Sequence, residues 1–111
     1  MRTAVEFVDL YCAKTKGPDE DEVGLRFNGA TLWSGPFQGG ITRKIETIKV
    51  LPDPTGTIEL WQGGFPRRTF NNLGTQTIGQ PDAHHSESQS AQFTAEGAEY
   101  TLSYRFLQIP D

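Results

Sequence analysis

The chain predicts an all-β fold, an antiparallel β-sandwich of about eight strands, and three observations carry that prediction. Short runs with strand character recur at regular intervals along its 111 residues. Turn chemistry separates them: Asn28-Gly29, Gly35-Pro36, Gly39-Gly40, Pro52-Asp53-Pro54, Gly63-Gly64 and Gly97. No segment sustains the 3.6-residue apolar period of an amphipathic helix.

The first run, residues 3–13, alternates imperfectly. Val5 and Phe7 share one face, whereas strict alternation would put Leu10 and Cys12 on the other. A β-bulge near Val8-Asp9 restores a single inward set of Val5, Phe7, Leu10 and Cys12, with Glu6, Asp9 and Tyr11 outward. Residues 22–28 and 31–34 flank Asn28-Gly29. That dipeptide is a strong hairpin signal, because both central positions of the tight turn need positive φ. Residues 43–51 place Ile45, Ile48 and Leu51 at helical spacing. Their β-branched content and the alternation of Ile48 with Val50 favour a strand. Residues 57–61 and 73–78 form the next pair, with a long loop expected between them. Residues 90–94 are followed by 99–107, where Tyr100, Leu102, Tyr104 and Phe106 alternate with Thr101, Ser103 and Arg105. That pattern describes a half-buried strand. Residues 14–22 and 80–89, polar and turn-rich, read as surface loops. Residues 1–111 thus read as one sandwich domain, long enough to bury a core without metals or disulfides.

Composition narrows the function classes. The formal net charge is −4, from 10 basic and 14 acidic residues. A nucleic-acid binder would show a clustered basic excess, so none is expected as partner. A single cysteine, Cys12, excludes an internal disulfide framework and fits a reducing compartment. No apolar stretch has the form of a signal peptide or membrane span, so a cytoplasmic protein, or a component of a particle assembled inside the cell, is expected. No nucleophile elbow, phosphate loop or acid–base constellation is apparent, so neither an enzyme nor a cofactor is expected. His84 and His85 are adjacent on an extended segment, point apart and read as surface residues. Trp33 and Trp61 read as core or sheet-face residues.

Two stretches carry binding chemistry. Residues 62–72 read as a loop of about eleven residues, long for a hairpin. It holds Phe65, Arg67, Arg68 and Phe70 and closes with Asn71 and Asn72. Aromatic and arginine side chains are enriched at interface hot spots. Asp19, Glu20, Asp21 and Glu22 form an acidic run that reads as a solvated turn. Its carboxylates could also offer oxygen ligands to calcium, with Asp19 and Asp21 the candidates.

The order of these features resembles a C2 domain, the β-sandwich known as a calcium-dependent lipid-binding region. An acidic loop precedes a short strand in PDEDEVGLRF. A later strand ending in an aromatic is followed by a loop and a Leu73-Gly74 unit in IELWQGGFPRRTFNNLGTQTI. The resemblance implies an eight-stranded sandwich with its binding loops at one end. Where calcium-binding members carry aspartates in the second loop, this chain has Gln62, Gly64, Asn71 and Asn72, and Arg67 and Arg68 would repel a divalent cation. The expectation is a calcium-independent interaction module whose partner is a protein. A self-assembling structural subunit, such as a virion or decoration component, is the alternative. A calcium-dependent membrane module is least favoured, since the net charge disfavours anionic lipid.

Overall fold

The computed structural model describes residues 2–16, 20–51, 55–64, 69–79, 88–95 and 97–110, together with the side chains of all of these except 64 and 69–71. Eight strands follow one another: β1 (Arg2–Lys14), β2 (Asp21–Phe27), β3 (Ala30–Phe37), β4 (Thr42–Val50), β5 (Thr55–Gly64), β6 (Thr69–Gly79), β7 (Gln89–Ala95) and β8 (Ala98–Ile109). They form two four-stranded sheets, ordered β4-β1-β8-β7 and β3-β2-β5-β6, with every pair antiparallel. All eight expected runs are strands.

The bulge in β1 is where the apolar pattern requires it. The register shifts between Phe7 and Asp9 against both neighbouring strands. Val5, Phe7, Leu10 and Cys12 are all buried, while Tyr11 is exposed. The β2–β3 turn has left-handed φ at both Asn28 (50°) and Gly29 (84°), as an Asn-Gly hairpin demands. Asn28 is also fastened to β5: its Oδ1 accepts from the Thr57 N–H at 2.9 Å, and its own N–H donates to the Thr57 carbonyl at 2.8 Å. In β8, Tyr100, Leu102, Tyr104 and Phe106 are buried, as the alternation implies.

Aromatic edges join the two sheets. Phe7 of β1 meets Phe27 of β2 at 5.2 Å between ring centroids, and Phe37 of β3 meets Tyr100 of β8 at 5.5 Å, both edge-to-face. Such pairs add about 0.5–1.5 kcal/mol beyond their buried area. Leu25, Ile58, Leu60, Leu73 and Phe93 fill the space between. On the β6–β7 side the Gln76 side chain donates to the Gln92 carbonyl at 2.8 Å, bridging the sheets.

Three expectations are corrected. Gly35-Pro36 is not a turn but lies inside β3. That strand is a sheet edge, where proline's missing N–H removes no ladder bond. The loop expected over residues 62–72 is largely ladder: Trp61 faces Asn72, Gln62 faces Asn71, Gly63 faces Phe70 and Gly64 faces Thr69. Glycine and asparagine read as breakers in sequence, yet hairpin pairing satisfies their backbone groups and holds them extended. Only residues 65–68 connect the two strands. Finally, β2 begins at Asp21 and β7 at Gln89, inside the segments read as loops.

Candidate functional site

Strand register decides which connections share an end of the sandwich. Lys14 lies opposite Glu99, Tyr11 opposite Thr42, Asp21 opposite Phe37 and Glu22 opposite Gly63. Connections 15–20, 38–41, 65–68 and 96–97 therefore leave from one end. The acidic segment and the β5–β6 hairpin tip, 45 residues apart in sequence from Glu20 to Phe65, are anchored on neighbouring strands. Glu20 and the Asn72 side chain are exposed there. Asn72 Oδ1 accepts from the Gly74 N–H at 2.7 Å, closing the bulge where the register shifts between Leu60 and Trp61. Asp19, Phe65, Arg67 and Arg68 lie outside the described residues, as do the side chains of Phe70 and Asn71 and both histidines.

Asp21 has a different role from its acidic neighbours. Its side chain is only 1% exposed. Oδ2 accepts from the Tyr100 hydroxyl at 2.7 Å and from the Lys16 N–H at 2.8 Å. The carboxylate thus ties the β1–β2 connection to the core strand β8 and does not face solvent. Burial first, then hydrogen bonds to Asp21 and Cys12, hold the Tyr100 phenol far above its ordinary value. Burial also raises the Cys12 thiol, against a lowering hydrogen bond from Tyr100, with the Asp21 charge adding to the rise. A buried, protonated thiol is a poor nucleophile. Among the described residues no three histidine, cysteine or acidic side chains gather as a metal site.

A concavity lies on the outer face of the β3-β2-β5-β6 sheet. It encloses about 290 Å³ and is lined by Glu22, Gly24, Arg26, Thr31, Ser34, Trp61 and Gly63, with Val23 contributing backbone position. Two charged neighbours hold Trp61. Its indole N–H donates to Glu59 at 3.2 Å, and the Arg26 guanidinium stands 5.3 Å over the ring. Trp61 is therefore a sheet-face residue. Trp33 is instead packed against the core, 5.3 Å from the Phe37 ring.

No family model and no curated protein matches the sequence. Solved structures do match the fold. A CC2D1B structure, from work in which CC2D1B coordinates ESCRT-III activity during the mitotic reformation of the nuclear envelope, superposes with a TM-score of 0.60 at 10% identity, over 94% of this chain and 54% of that one. A structure described simply as a C2 domain gives 0.53 at 10% identity, over 96% and 97% of the two chains. The fold is C2-like. A structure of the paired C2 domains of extended-synaptotagmin 2 gives 0.53 at 15% identity, over 94% of this chain and 39% of that one. The chain thus spans about half the length of the first of these structures and nearly all of the second.

Within the C2-like frame, the anchors of both expected binding segments sit at the same end. Of the acidic residues described there, Glu20 and Glu22 are exposed and Asp21 is committed inward. The sequence signalled this end through its aromatic and basic residues. It did not single out Gly24 or the outer-face groove, whose only trace is a glycine at an outward strand position.

Proposed function

We propose that the chain is a non-catalytic, calcium-independent module that binds a protein partner through the loops at one end of its C2-like sandwich. The observation that carries this reading is the pairing of Glu22 with Gly63, which anchors the acidic segment and the β5–β6 tip side by side on a rigid sheet. Phe65, Arg67, Arg68 and Phe70 supply residue types favoured at interface hot spots, and Asp19, Glu20, Asn71 and Asn72 belong to the same candidate set. The commitment of Asp21 to Tyr100 and Lys16 supports calcium independence, because it holds the carboxylate inward at 1% exposure, away from the loop surface.

The test is a triple replacement of Phe65, Arg67 and Arg68 by alanine, with partner capture and thermal midpoint measured together. Capture should be lost with the midpoint nearly unchanged; undiminished capture sinks the proposal. Calcium titration by calorimetry should give no binding tighter than about 10⁻³ M. A self-assembling subunit is the second reading, favoured by Ile48 and Val50, which are 52% and 44% exposed on the edge strand β4. A concentration-independent monomer in light scattering removes it.

A further inference from the structure

Gly24 has no structural reason to be glycine. It lies inside β2, paired with Ser34 of β3 and Trp61 of β5. A glycine inside a strand weakens it, and such glycines often mark a bulge or the close approach of another group. Elsewhere in this sheet the reason is visible. A Cβ at Gly56 would lie 2.5 Å from the Phe27 ring, and one at Gly74 would lie 3.0 Å from Phe93. At Gly24 a Cβ would meet nothing within 4 Å, and the backbone is not left-handed. The register at Gly24 itself is regular against both neighbours, and the shift against β3 falls beyond it, between Leu25 and Arg26. The space above it is the floor of the outer-face groove.

The walls of that groove define what would fill it. Trp61 offers the face of its indole that Arg26 does not cover, and Gly24 and Gly63, which carry no side chains, line the groove beside it. Thr31 and Ser34 contribute hydroxyls that both donate and accept. Glu22 and Arg26 contribute one charge of each sign, so the rim is electrically balanced. A cationic ligand would meet Arg26 already seated over the indole. An anionic ligand would meet the Glu22 carboxylate. The volume of 290 Å³ is at the lower end of the range that holds small molecules. The groove lies in mid-sheet, with β3 and β6 on either side, so no strand can add to it by backbone pairing.

From this we infer that the outer-face groove over Gly24 is a binding site for a neutral, hydroxyl-rich ring, the pyranose unit of a glycan. One face of such a ring presents C–H bonds that pack on the indole and the glycine floor. Its edge presents hydroxyls that pair with Glu22, Arg26, Thr31 and Ser34. The site is separate from the loop end proposed for protein contact and stands or falls independently of it.

The experiment is a ¹H–¹⁵N titration of the intact chain with maltotriose, cellotriose, mannotriose and chitotriose in turn, and with inorganic phosphate as the charged probe. At least one sugar should shift the Trp61 indole N–H and the Gly24 and Gly63 amides together, saturating with a Kd of about 1 mM or tighter, and phosphate should not. The replacement Gly24→Val adds bulk to the floor at a position where a Cβ meets no protein atom within 4 Å, and should weaken that binding at least about tenfold, a difference of ~1.4 kcal/mol. The wild-type shift pattern decides the matter even if the variant folds poorly. Four sugars without effect, shifts confined to other residues, a response to phosphate alone, or binding unchanged in a folded Gly24→Val protein would each overturn the assignment.

Discussion

Replacing Tyr100 by phenylalanine isolates a buried polar contact that spans the two sheets at the loop end. The ring stays against Phe37, and the hydroxyl that donates to Asp21 at 2.7 Å is removed, together with its weaker hydrogen bond to the Cys12 thiol. Asp21 is 1% exposed, so water cannot readily replace the donor. Its Oδ2 keeps the Lys16 N–H alone. A hydrogen bond to a buried charged group contributes about 1.5–3 kcal/mol, so the variant should lose about 2 kcal/mol. For a domain of this size that lowers the thermal midpoint by roughly 8–10 °C. Chemical denaturation and calorimetry measure it. A double-mutant cycle with Asp21→Ala sharpens the attribution. Once the carboxylate is gone, Tyr100→Phe should cost at least ~1 kcal/mol less than it does in the wild type, because the two side chains share one interaction. A loss below ~0.5 kcal/mol for Tyr100→Phe alone, or strict additivity in the cycle, refutes the reasoning.

Alkaline pH should destabilise the protein. Both the Cys12 thiol and the Tyr100 phenol are raised above ordinary values of 9.0 and 10.0, so the unfolded chain releases these protons first and stability falls as pH rises beyond about 9. Thermal midpoints from pH 7 to 11 should show that decline, and Cys12→Ala should remove its lower step. An alkylating reagent should label Cys12 only as fast as the chain unfolds, because the thiol is fully buried; rapid native labelling would contradict the placement. Gly56→Ala forces a methyl group to within 2.5 Å of the Phe27 ring and should cost about 1–3 kcal/mol by overpacking, read as a lower denaturant midpoint at unchanged slope. Asn28→Ala places alanine at φ 50° and removes the acceptor for Thr57, with an expected cost of about 2 kcal/mol; Asn28→Gly should recover the backbone part of that loss.

Much of the fold was legible because it is written in local chemistry. The bulge in β1 follows from a phase slip in its apolar residues. The β2–β3 hairpin follows from the two left-handed positions of Asn28-Gly29, and the buried face of β8 from strict alternation. These signals need no partner strand to be read. The candidate site was less legible. Asp21 is one of four consecutive acids, and nothing local distinguishes the one whose carboxylate meets a tyrosine 79 residues away. Gln62, Gly63, Gly64, Asn71 and Asn72 carry breaker chemistry, yet they pair because each strand satisfies the other.

By itself, then, the sequence determined the strand set, the inward residues, the lack of a disulfide framework and the C2-like order of features. Those follow from side-chain period, turn φ requirements and composition, which are properties of short segments. The C2 resemblance implied that the acidic segment and the β5–β6 tip share an end; only the tertiary structure decided which residues anchor them there, that Asp21 is a buried tether, and that Gly24 floors an open groove beside Trp61. Each of those depends on register between strands distant in sequence, and register is set by how two apolar faces close on one another across the whole sandwich.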